Sequence, residues 1–62
     1  MKFTLEIDLG NDAMSTNNSI AEALNIVVST LRWAPGIEAK VGDTRPIRDE
    51  NGNLVGKWEV IA

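Results

Sequence analysis

Arg45-Pro-Ile-Arg-Asp-Glu-Asn-Gly-Asn-Leu-Val-Gly-Lys-Trp-Glu-Val-Ile61 is the stretch that decides the fold. Asn51-Gly52 stands between two runs of alternating apolar residues, and a tight turn needs residues that accept positive φ. The segment reads as a β-hairpin whose second strand closes the fold. Parity then assigns the faces. With Asn51-Gly52 as a two-residue turn, Ile47 shares a face with Leu54, Gly56, Trp58 and Val60. With a three-residue turn and a bulge, Ile47 joins Val55 and Ile61 instead. The first register collects more apolar surface on one side and is preferred. Pro46 has no N–H to donate, which sends the strand over 44–49 to a sheet edge. Gly56 leaves room for a large neighbour, with Trp58, Trp33 or a helix residue as the candidates.

Outward from the hairpin, Phe3, Leu5, Ile7 and Leu9 alternate with Lys2, Thr4, Glu6 and Asp8. That period of two gives a first strand with one apolar and one wet face. Gly10-Asn-Asp12 ends it, and residues 12–18 read as a polar loop with Met14 as its only large apolar member. A helix follows over 19–33. Ser19 with Glu22 fits a capping box, with Asn17 or Asn18 as alternative caps. Ile20, Leu24, Val27, Leu31 and Ala34 form one apolar stripe, and Pro35-Gly36 stops the helix. The β-branched run Ile26-Val27-Val28 is a poor helix former, so burial must hold it. Residues 35–43, with Ile37 and Val41 among charges, suit a covering loop or a short irregular strand.

The fold class is therefore α+β: one small domain over 1–62, in the order β-α-β-β. A three-stranded antiparallel sheet in the order 1-3-2 packs one face on the helix, the smallest two-layer arrangement. A parallel pairing of the first strand is the alternative.

Composition narrows the chemistry. A fold of sixty-two residues buries only about 60% of the surface its unfolded chain exposes, and such domains often need disulfides, a metal or a partner subunit. The chain has no cysteine and no histidine, which removes disulfides, zinc fingers and His-based acid–base catalysis. A compact core or oligomerisation must do that work. A formal charge of −3 with basic residues scattered singly argues against binding driven by phosphate contacts. Met1–Asp8 lacks the apolar run of a signal peptide, and no stretch approaches a membrane span, so a cytoplasmic protein is expected. No cofactor is implied.

Asp49-Glu-Asn-Gly-Asn53 superficially resembles a calcium loop. Counted from Asp49, its glycine falls at the fourth position and Val60 at the twelfth, so the pattern fails and a turn remains. Glu6, Asp8 and Glu59 gather on the wet sheet face beside Lys2, Lys57 and Arg48. On an open face they act as cross-strand ion pairs rather than as an acid–base pair, and an enzyme is not expected. Ile26 and Trp33, seven residues apart, form a second apolar seam on the helix flank. Either the loop carrying Ile37 and Val41 folds over them, which is the simpler reading, or the seam is a contact surface anchored by Trp33. Val55 and Ile61 raise the same question on the outer sheet face, where an exposed pair could seed a homodimer. Asn17-Asn18-Ser19 is a formal glycosylation sequon, better read as a helix cap.

Lys2-Phe-Thr-Leu-Glu-Ile-Asp8 and Arg48-Asp-Glu-Asn-Gly-Asn-Leu-Val-Gly-Lys-Trp-Glu-Val60 together resemble short uncharacterised proteins of actinobacterial phages and related mobile elements. The likeness covers about half of the chain and brings no catalytic residue or cofactor with it. It implies a mobile-element setting. The expected function is an accessory protein that binds another protein, such as an inhibitor of a host defence or regulatory enzyme of the anti-CRISPR type. Ile26, Trp33, Glu6, Asp8 and Glu59 are the nominated contact residues. The alternative is a nucleic-acid module in which Arg45, Arg48 and Lys57 meet phosphates and Trp58 stacks on a base, which requires an exposed Trp58.

Overall fold

A computed structural model describes residues 1–62 and shows strand β1 (Lys2–Ile7), a 3-10 turn (Asp12–Met14), helix α1 (Asn17–Arg32), and strands β2 (Thr44–Arg48) and β3 (Leu54–Ile61). The sheet order is β1-β3-β2, antiparallel throughout. Pro46 lies on an edge strand, as its missing N–H demands. The most apolar strand, β3, takes the centre.

The hairpin register combines both sequence alternatives. The Gly52 N–H donates to the Asp49 carbonyl (3.0 Å) and the Asp49 N–H to the Asn53 carbonyl (2.9 Å), with Gly52 at φ +85°. That is a three-residue turn with glycine in the left-handed position, not the preferred two-residue turn. It reverses parity, so Leu54 points outward and Val55 inward. An irregularity between Ile47 and Arg48 then restores the original parity, pairing Ile47 with Gly56 and Arg48 with Leu54. Val55, Trp58 and Val60 are all buried with Ile47, while Leu54 is 65% exposed. The outward Val55 expected as a dimer seed is therefore only 3% exposed.

Gly56 serves β1 rather than a large side chain. A Cβ there would run into the Glu6 carbonyl and meet the Ile7 Cα at 3.0 Å. The first strand approaches so closely at the bulge that only glycine fits.

Helix α1 starts earlier than the capping-box pattern suggests. Thr16 is the N-cap: its Oγ1 accepts from the Ser19 N–H (3.0 Å), and its carbonyl accepts from the Ile20 N–H (3.1 Å). The buried face carries Ala23 and Val27, flanked by half-buried Ile20 and Thr30. It is turned by about 40° from the Leu24–Leu31 stripe, at 100° per residue. Ala23 shares one core cluster with Trp58 and Val27. Sequence hydrophobicity weighs Leu above Ala, yet Ala23 is buried and Leu24 is exposed.

Met14 is also in the core, because the 3-10 turn folds back beneath the helix start. The polar-loop reading missed it. Residues 42 and 43 continue the β2 pairing: the Gly42 N–H donates to the Val60 carbonyl and the Val60 N–H to the Asp43 carbonyl.

Candidate protein-binding surfaces

Helix α1 covers the sheet unevenly, and its two flanks differ. On the β2 side, Ile26 borders a groove of ≈ 220 Å³ with Arg45, Pro46, Ile47 and Trp58. At the C-terminal end of the helix, Leu31 and Phe3 line a second groove with the loop after α1, the start of β2, Trp58 and Val60.

Ile26 is 64% and Trp33 81% exposed. Trp33 ends the helix, with its N–H donating to the Ser29 carbonyl (3.1 Å), so its backbone is held while its indole stands in solvent. The covering-loop reading fails: Ile37 is itself fully exposed and Val41 is exposed. A turn held by Lys40 and Asp43 directs that loop back to the sheet instead. The Asp43 N–H donates to the Lys40 carbonyl, the Lys40 N–H donates to the Asp43 carboxylate, and Gly42 takes φ +100°.

The nominated acidic residues lie elsewhere. Glu6 is opposite Lys57, and Glu59 is opposite Thr4, on the sheet face away from the helix. Lys57 Nζ sits 3.3 Å from Glu59 Oε1, the one ion pair of the chain. Asp8 follows the strand end, where its N–H donates to the Val55 carbonyl (2.7 Å). Lys2 and Lys57 interrupt these carboxylates, so no dense anionic row forms. The acidic set and the Ile26/Trp33 seam occupy opposite faces and do not compose one site.

Trp58 is 6% exposed and stacks on Phe3, with ring centroids 5.6 Å apart at 27°. An indole committed to the core in this way does not offer its face to a nucleobase.

Asp49 is the carboxylate whose role the sequence pattern understated. Its Oδ1 accepts the N–H groups of Asn51 and Asn53 (both 2.9 Å). Its Oδ2 accepts the side-chain amides of Asn53 and Asn11 (both 3.2 Å). Burial alone would raise the Asp49 carboxyl. These hydrogen bonds, those from Asn53 foremost, outweigh it and hold the carboxyl below its ordinary value. Asp49 is only 7% exposed, and the Asn11 contact ties the hairpin to the loop after β1. With four donors already on its two oxygens, this loop is built as a turn. The signal was present in the Asp–Asn spacing; the partner Asn11, 38 residues away, was not legible.

No protein-family model, curated protein or solved structure matches this chain. No helix is long and apolar enough to cross a membrane.

Proposed function

We propose that this chain is a small mobile-element accessory protein that works by binding another protein, with Trp33 as its anchor. The observation that carries the reading is the exposed Trp33 at the end of α1, two helical turns from the exposed Ile26 on the same flank. A solvated tryptophan is costly to leave unused, and such residues dominate the energetics of protein interfaces. The helix end holds its backbone, so only the side chain remains to be ordered on binding. Arg45 and Arg48 stand beside Ile26 at the groove and supply a polar rim suited to an acidic partner surface.

The mobile-element setting rests on the resemblance of both chain ends to phage proteins, and a host defence or regulatory enzyme is the partner class that setting suggests. Capture of a partner on immobilised protein tests the reading, with Trp33→Ala as the control. A partner retained by the natural chain and lost with Trp33→Ala supports it. Equal retention by both, with the variant's fold intact by circular dichroism, overturns the role of Trp33.

A further inference from the structure

Strand β1 forms a sheet edge with an open rim. The Asp8 N–H donates to the Val55 carbonyl, so alternation along the ladder aims the main-chain groups of Lys2, Thr4 and Glu6 at β3. The N–H and carbonyl groups of Phe3, Leu5 and Ile7 consequently point away from the sheet. Proteins usually protect such an edge with charged side chains, proline, a bulge or a covering segment, and β1 carries only Lys2 and Glu6, both on its wet face. Here Pro46 and the hairpin irregularity both lie at the β2–β3 pairing, on the other side of the sheet. The apolar surface beside the open edge is also uncovered: Phe3, Leu24, Val28 and Leu31 are all exposed.

The chain as a whole exposes 4781 Å². A folded monomer of this mass is expected to expose about 3,950 Å², so the molecule carries roughly 800 Å² of extra surface. The apolar residues beside β1 share that excess with Ile26, Trp33 and Ile37 on the rest of the molecule.

We infer that two copies of this chain pair antiparallel through β1, about a two-fold axis at Thr4, joining their sheets into one of six strands. Opposed residues in an antiparallel pair share a face, so the axis must fall on a residue, and Thr4 is the position that pairs opposite charges within the strand. With the axis at Thr4, Lys2 faces the partner's Glu6 at both ends of the contact, and Phe3 faces the partner's Leu5 on the apolar side. An axis at Leu5 would move Lys2 opposite Asp8, beyond the strand end, and an axis at Glu6 would oppose two like carboxylates. The Thr4 register also uses the free main-chain groups, since Phe3 and Leu5 form two hydrogen-bonded pairs flanking a non-hydrogen-bonded Thr4 pair. The operation sets both helices on one side of the joined sheet, with Phe3 and Leu5 of both copies between their Leu24–Leu31 flanks. The contact closes on itself, leaving the Pro46 strands as the outer edges. This pairing uses the flank of α1 opposite Ile26, so it stands independently of the Trp33 surface.

The chain has no cysteine, so Thr4→Cys introduces a single thiol at the axis. In a non-hydrogen-bonded pair the two Cα atoms lie about 4.5 Å apart, within disulfide range. Glu6→Cys, on the same strand and face, would lie roughly 14 Å or more from its copy, four residues along the ladder. On mild oxidation, Thr4→Cys is expected to become a covalent dimer while Glu6→Cys stays monomeric. Equal or slower cross-linking of Thr4→Cys overturns the register. Light scattering of the natural chain provides a reading free of any substitution. A mass of twice 6.8 kDa at high concentration supports the pairing, and 6.8 kDa throughout a series reaching about 1 mM overturns it.

Discussion

Gly56 is the residue at which the sheet is least forgiving. Its missing side chain admits the Glu6 carbonyl of β1, and backbone on both sides has no rotamer through which to yield. Gly56→Ala is expected to destabilise the chain by about 2–3 kcal/mol, the upper range for overpacking, read as a lower urea midpoint with an unchanged slope. At Asp49 the expectation concerns pH. The folded carboxyl titrates below its ordinary value of 3.8. Its stabilising effect is thus complete above the unfolded value and is lost as pH falls through the lower folded one. Asp49→Asn removes that charge and opposes its own amide to those of Asn11 and Asn53. The variant should be less stable than the natural chain at pH 7, and the gap in urea midpoint should narrow below about pH 4. A gap independent of pH would show that the carboxylate charge is not what the loop uses.

The helix illustrates how elements select their faces. Val27 lies in the core and Leu24 on the open flank. Val27→Ala should cost about 1–3 kcal/mol at any protein concentration. Leu24→Ala should cost less than Val27→Ala in dilute solution, where the monomer dominates, because its side chain is already 39% exposed. Equal costs would restore the stripe that hydrophobic periodicity suggests. That stripe was legible in part: the helix, its stop at Pro35-Gly36 and the burial of Val27 follow from spacing alone. The rotation toward Ala23 does not, since it depends on where Trp58 sits in the folded sheet. The hairpin behaves similarly. Asn-Gly announces the turn, and edge placement follows from Pro46. The two compensating irregularities that bury both Val55 and Trp58 arise only when the ladder forms. On the candidate surface, Ile26 and Trp33 were legible as an off-face pair, whereas their exposure depended on the route of residues 35–43. The edge character of β1 follows from sheet order, and the free rim from its hydrogen-bond alternation.

At the scale of the whole molecule, one helix is too narrow for three strands. It leans toward β2, leaving Phe3, the free rim of β1 and the Leu24–Leu31 flank exposed on one side and Ile26 with Trp33 on the other, while Leu5 and Ile7 of β1 still pack on the core. A chain of this size without cysteine gains most by covering such a surface with protein. The two tryptophans report separately on that arrangement, Trp58 from the core and Trp33 from solvent. Acrylamide should quench about half of the emission readily, and Trp33→Phe should remove that accessible half. Loss of the shielded component with Trp33→Phe would place the indoles the other way round.

Hydrogen exchange of the β1 amides across a dilution series tests most directly whether this open side is an interface. The Phe3 and Leu5 amides, which point away from the sheet, are expected to be protected at high concentration and to exchange freely on dilution. Those of Thr4 and Glu6, bonded to β3, should stay protected throughout. Fast exchange at Phe3 and Leu5 at every concentration would contradict the pairing and leave β1 as a free edge.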